Sequence, residues 1–202
     1  MTKNNKIKNI IFDLGGVLID LYEEKTINCF DGAKISAFYG EKLNPKFIKL
    51  AHDFETATIS AVEFREGVCE LFNLNISAKK FDECWNAMIG KMTENRHKLL
   101  LELRKKYRLF VLSNTNEIHY NFFTKQKYWK PELFEITYFS HLLKMRKPNT
   151  EIFNYVLAKN KLIAEETIFV DDNVENVKSA SKTGISAYLV DKEIELILKD
   201  IL

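Results

Sequence analysis

The chain has 202 residues, 46% of them apolar and 29% charged, with 30 basic against 28 acidic side chains. That length suffices for one sizeable core with an inserted lobe, the apolar share excludes a disordered chain, and the near balance of charge gives no electrostatic case for nucleic-acid or membrane binding. Met1 to Lys8 is polar and leads into an apolar run too short for a signal peptide or a membrane span, so a cytoplasmic protein is expected. Cys29, Cys69 and Cys84 are odd in number and lack metal-ligand spacing, so free thiols in a reducing compartment are expected too.

The first apolar run, Ile7 to Phe12, reads as a buried strand that ends in Asp13, Leu14, Gly15 and Gly16. An acid there sits at the carboxyl edge of the strand, where open α/β sheets bind ligands, and the glycines leave backbone amides free to close around an anion. A helix-capping or turn Asp fits the same residues. From about Leu21 to Thr93 the patterning is helical throughout, with starts near Asp20, after Asn44-Pro45, at Ser60 and at Ser77. Asp20-Leu21-Tyr22-Glu23 and Ser60-Ala61-Val62-Glu63 both fit capping boxes. Phe47, Phe64, Phe72, Phe81 and Trp85 recur at helical spacing and read as bundle core, while Glu55 and Arg65 read as helix-surface charge.

Beyond Thr93, Tyr107 to Leu112, Ile136 to Phe139, Thr167 to Val170 and Ser186 to Val190 read as further buried strands separated by helical stretches. This is the pattern of an α/β doubly wound parallel sheet, covered on both faces. The second strand runs into Ser113-Asn114-Thr115-Asn116, neutral groups that suit phosphate oxygens and suit a helix cap equally well. Met145-Arg146-Lys147-Pro148 sets a cation before a proline that can open a helix; buried, Lys147 would counter a bound anion, and exposed it would be one surface lysine among many. The fourth strand ends in Asp171-Asp172-Asn173, paired carboxylates that repel one another without a cation and whose hard oxygens suit Mg²⁺. His52, His97, His119 and His141 match no metal-ligand or triad pattern.

In this order the four strand-end segments resemble the four motifs of the haloacid dehalogenase-like hydrolase superfamily, over nearly the whole chain. Phe12-Asp13-Leu14-Gly15-Gly16-Val17-Leu18 with Ser113-Asn114-Thr115-Asn116, Arg146-Lys147-Pro148 and Asp171-Asp172-Asn173 is similar to a subfamily of sugar-phosphate phosphatases that includes one acting on α-D-glucose 1-phosphate. The resemblance implies a Rossmann-like core over residues 1–20 and 94–202, with residues 21–93 as an all-helical cap that chooses the substrate. Phe54 to Ser60, leading into Glu63-Phe64-Arg65, also resembles a cap segment of that subfamily, which makes Glu55 and Arg65 candidates for specificity beside their reading as surface charge. It implies Asp13 as nucleophile, with Ser113, the Asn114 backbone and Lys147 on the phosphate. It also implies Mg²⁺ held by Asp13, the Gly15 carbonyl and Asp172, with Asp171 orienting a metal-bound water. The implied activity is hydrolysis of small phosphorylated metabolites through an aspartyl-phosphate.

One position departs from the wider pattern. Most phosphatases of the superfamily carry a second Asp, the general acid, where this chain has Gly15. Such a group is worth about 10² to 10⁴ in rate, so modest turnover is expected, least impaired for acyl or aryl phosphates. The same Gly15 keeps three alternatives open. A dehalogenase needs no such acid, a phosphonatase would use a cap lysine such as Lys25, Lys34, Lys46 or Lys49, and a catalytically silent protein would bind a phospho-ligand or a partner. The Asp171-Asp172 pair argues against the first, and retention of Asp13, Lys147 and Asp172 argues against the last.

Overall fold

The computed structural model describes residues 7–30, 44–191 and 193–201. Five strands, β1 (Asn9–Phe12), β2 (Arg108–Ser113), β3 (Ile136–Phe139), β4 (Thr167–Asp171) and β5 (Ser186–Leu189), form one parallel sheet in the order β3-β2-β1-β4-β5. Each inner strand alternates apolar side chains between two cores, which is why its sequence reads as an unbroken apolar run. Ile10 and Phe12 of β1, Leu109 and Val111 of β2, and Ile168 and Val170 of β4 face one side. Ile11, Phe110, Leu112 and Phe169 face the other.

Helices cover both faces. Leu100 of α5 (Glu94–Leu103) and Ile194, Ile197 and Leu198 of α10 (Ile194–Ile201) close the first side. Ile152, Phe153 and Val156 of α8 (Thr150–Asn160) and Ala180 of α9 (Val174–Ser181) close the second. Two shorter helices, α6 (Glu117–Phe123) and α7 (Ser140–Leu143), follow β2 and β3. Among the described residues no helix is long and apolar enough to cross a membrane.

Four helices between β1 and α5, namely α1 (Glu23–Cys29), α2 (Pro45–Glu55), α3 (Ala61–Phe72) and α4 (Ala78–Asn86), gather around a separate aromatic core. Their starts follow local chemistry. Asn44 accepts from the Lys46 N–H, Ser77 from the Lys80 N–H, and Ser60 and Glu63 form the reciprocal capping box. In the core, Phe64 packs at a ring distance of 4.4 Å on Phe54 and 5.0 Å on Trp85. Thr26 is fully buried and ties α1 to the end of α4, donating to the Cys84 carbonyl at 2.8 Å and accepting from the Met88 N–H at 3.1 Å. The chain enters and leaves this insertion through one paired neck: the Tyr22 N–H donates to the Met88 carbonyl and the Gly90 N–H to the Asp20 carbonyl, both at 2.8 Å. A Cβ at Gly90 would lie 2.6 Å from that Asp20 oxygen, so the close approach requires glycine.

Three expectations are corrected. The Asp20–Glu23 capping box does not form, because Arg96 claims the Asp20 carboxylate at 2.6 Å; α1 is capped by Tyr22 without a side-chain bond. Cys29 and Cys84 are not free thiols but a disulfide joining α1 to α4, since packing brings their Cα atoms to 5.1 Å, a separation that suits the bond; only Cys69 stays reduced. Arg65 is a bidentate partner of Asp82 across α3 and α4, at 2.7 and 2.8 Å, and not plain surface charge. Lys34 lies outside the described residues, and Lys25, Lys46 and Lys49 are exposed. Thiol titration of the unreduced protein in denaturant should therefore count one reactive thiol per chain, rising to three after reduction. A count of three before reduction would refute the disulfide.

Candidate active site

The sheet order sets β1 between β2 and β4, with Phe12 in register with Val111 on one side and Val170 on the other. The residues just beyond these positions therefore meet at one edge, where the strand order reverses and α/β sheets open a crevice. The Asp13 N–H still donates to the Val170 carbonyl at 2.9 Å, which holds the acid at the sheet edge. Lys147 arrives from the loop after α7. Its N–H donates to Asn114 Oδ1 and its carbonyl accepts from Asn114 Nδ2, both at 2.9 Å, so the Asn114 side chain clamps this loop onto the end of β2. That leaves the backbone of Asn114, and not its side chain, for a ligand.

Lys147 is 1% exposed, and its Nζ lies 2.8 Å from Asp13 Oδ1 and 2.5 Å from Asp171 Oδ2. Burial alone would lower its pKa, but the two carboxylates outweigh burial and raise it, so the ammonium stays charged. Asp13 is pushed up to about 7, first by burial and then by Asp171 and Asp172, against the pull of Lys147. The fully buried Asp171 is saturated: besides Lys147 it accepts from the Asn173 N–H at 2.8 Å and from Asn176 Nδ2 at 3.0 and 3.1 Å. Asp172 keeps solvent access, and burial followed by the Asp171 charge raises its pKa. Oxygens of Asp13, Asp171 and Asp172 lie within 4.8 Å of one another, a set of hard donors around one ammonium that fits a divalent cation.

The two glycines after Asp13 differ. Gly16 has φ +71°, and a Cβ there would lie 2.0 Å from Asp172 Oδ2, so the turn passes directly under that carboxylate. A Cβ at Gly15 would meet only the mobile end of Leu21, at 2.9 Å.

A cavity of about 810 Å³ opens above this edge, with Gly15, Ser113 and Asn114 on its floor and α2 and α4 on its far wall. Phe47 and Trp85 serve both the aromatic core and this wall. His119, which sequence patterning left without a role, also lines it. Its Nδ1 accepts from Asn116 Nδ2 at 3.2 Å, so the neutral ring carries its proton on Nε2 and donates to the Trp85 carbonyl at 3.0 Å. Burial lowers its pKa to about 4. Glu55 and Arg146 line the cavity as an ion pair at 3.0 Å and join α2 to the Lys147 loop. Helical spacing alone gives Glu55 only a surface reading, whereas Arg146 adjoins Lys147, the lysine that the sequence places on the phosphate.

Replacing Gly16 by Ala should cost at least about 2 kcal/mol of stability, from the left-handed φ and the displaced Asp172, whereas Gly15→Ala should stay within about 1 kcal/mol. Urea unfolding of both checks this; equal losses would refute the distinction. In EDTA, folded Asp13 holds its proton up to about pH 7 while unfolded Asp releases it near 3.8, so the folded state binds the extra proton and loses stability as pH rises through that window. His119 acts oppositely below about pH 6.5, so the reading is a difference between proteins. Asp13→Asn should gain stability relative to wild type between about pH 5 and 7.5, and a constant difference would show that Asp13 is not shifted.

Comparison with known proteins agrees with this geometry. The family model described as haloacid dehalogenase-like hydrolase matches residues 10–190. A D-ribitol-5-phosphate phosphatase of Bacteroides thetaiotaomicron is 27% identical over 90% of this chain and 91% of its own length. A haloacid dehalogenase family enzyme of the same organism, crystallised with magnesium and inorganic phosphate, superposes with TM-score 0.81 at 34% identity over 95% of this chain and 98% of its own. A predicted hydrolase of that family from Porphyromonas gingivalis superposes with TM-score 0.82 at 30% identity, over 96% and 97%. With a parallel sheet whose edge joins Asp13, Lys147 and Asp172 and a family model spanning nearly all of it, the chain belongs to the haloacid dehalogenase-like hydrolase family.

Proposed function

We propose that the protein is a Mg²⁺-dependent phosphatase of small phosphomonoesters, polyol and sugar phosphates among them, with Asp13 as nucleophile and residues 21–93 as the cap over the site. The observation that carries this reading is the buried Asp13 carboxylate, 2.8 Å from an equally buried Lys147 and facing Asp172 across Gly16. A dehalogenase would have no use for three clustered carboxylates. The relatives support the class: one is a D-ribitol-5-phosphate phosphatase, and another binds magnesium with phosphate.

In the first step an Asp13 oxygen forms a bond to phosphorus while the bond to the leaving oxygen breaks, and that oxygen departs with its electron pair and takes a proton from solvent. In the second, water attacks phosphorus and releases a proton to solvent, the bond to Asp13 breaks with its electron pair, and the carboxylate and inorganic phosphate are released. Ser113 and the Asn114 N–H hold phosphate oxygens, and Lys147 balances the charge between Asp13 and phosphate. Asp13, the Gly15 carbonyl and Asp172 would hold Mg²⁺, which would supply the positive charge that brings a phosphate dianion beside these acids. Asp171, already engaged by Lys147 and Asn176, orients its surroundings and does not bind the metal directly. Gly15 has no side chain, so it supplies no acid for the leaving oxygen.

Phosphate release should depend on Mg²⁺, stop in EDTA and fall at least about a thousandfold in Asp13→Asn. Release that survives the substitution would overturn the nucleophile. Turnover of acetyl phosphate should exceed that of a simple alkyl phosphate by about 10² or more, the deficit left by a missing general acid. Equal rates would mean that another group protonates the leaving oxygen.

A further inference from the structure

Resting on the phosphatase reading, we infer that Glu55 recognises a hydroxyl on the organic part of the substrate, which makes the substrate a hydroxylated phosphate and not an apolar one. Glu55 ends α2 and lines the cavity opposite the Asp13 edge. Arg146 Nε donates to Glu55 Oε2 at 3.0 Å, and Nη2 lies 3.0 Å from the same oxygen as its ion-pair partner. Oε1 accepts no hydrogen bond among the described residues and remains accessible. One half of the carboxylate is thus spent on Arg146 and the other presented to the cavity.

The position is fixed relative to the phosphate. Arg146 directly precedes Lys147, whose backbone is clamped on Asn114, so Glu55 is anchored to the same loop that supplies the ammonium at Asp13. The cavity lining mixes apolar and polar side chains, and Glu23 of α1 is its other carboxylate. Ile48, Ala51 and Ile89 are apolar, and His52, one turn earlier on α2, is held toward its neutral form by burial and by Arg146. Burial also raises the Glu55 pKa, against the pull of Arg146. An accessible carboxylate oxygen with no protein donor accepts strongly from a hydroxyl and discriminates against a ligand that lacks one, because such a ligand displaces its water and offers no donor in exchange.

A simple latch between helix and loop would use the same ion pair, so the test separates the two roles. In Mg²⁺, kcat/KM is measured for D-ribitol 5-phosphate, n-pentyl phosphate and p-nitrophenyl phosphate with wild type, Glu55→Gln and Glu55→Met. The quantity read is the ratio of ribitol to pentyl phosphate. Wild type should favour ribitol phosphate; Glu55→Met should lower the ratio about ten- to a hundredfold, chiefly through KM for ribitol phosphate, with Glu55→Gln between. If Glu55→Met does not fold, the drop in Glu55→Gln decides. A ratio unchanged while all three substrates weaken together overturns the assignment in favour of a latch, as does a wild type indifferent to the hydroxyls. Wild-type silence on all three, p-nitrophenyl phosphate included, overturns the phosphatase reading itself, and the assignment with it.

Discussion

The interaction on which the rest depends is the ammonium of Lys147 held between Asp13 and Asp171. An unpaired charge buried to that degree would be prohibitively costly, and so would either carboxylate without the cation. The three groups come from the ends of two neighbouring strands and from a loop anchored on a third. The ion cluster therefore forms only when the sheet order and register are right. Once Asp13 is ionised, charge balance leaves one carboxylate unneutralised at the cluster and a second, Asp172, beside it. That surplus of negative charge is a direct physical reason for a site to recruit a divalent cation before it admits a phosphate.

Much of this arrangement was legible in the chain. Strands buried on both faces read as continuous apolar runs, and each of the three central ones runs into a polar cluster. A parallel sheet then brings those clusters together with no further information. The capping residues Ser60, Ser77 and Asn44 announce their helices because they act on the nearest backbone amides. What was not legible depended on long-range partners. Asp20 has the spacing of a capping box, but Arg96, 76 residues away, takes its carboxylate. Cys29 and Cys84 pair only because α1 and α4 pack together, and their spacing of 55 residues carries no such signal. His119 and Glu55 are ordinary helix residues until Trp85 and Arg146 are placed opposite them.

Adjacent residues also divide labour through burial. Asp171 and Asp172 are chemically alike, yet the first is consumed by Lys147, Asn173 and Asn176 while the second is left open, because successive residues leaving a strand point to opposite sides. Gly15 and Gly16 divide in the same way. One adjoins a flexible leucine, and the other adjoins the carboxylate that the site needs. Trp85 shows the converse: packed by Phe64 from within and stacked with His119 at a ring distance of 5.2 Å, it makes the helical core and the cavity wall one structure.

The paired neck at Asp20 and Gly90 has an evolutionary consequence. The two points where the insertion departs from the core are already joined by a 2.8 Å hydrogen bond, so a short turn could close the gap and leave the sheet undisturbed. The helical lobe is in that sense a cassette: its ends meet whatever lies between them. A change of length between Asp20 and Gly90 can therefore be absorbed at this neck without moving the strand ends that hold Asp13 and Asp171.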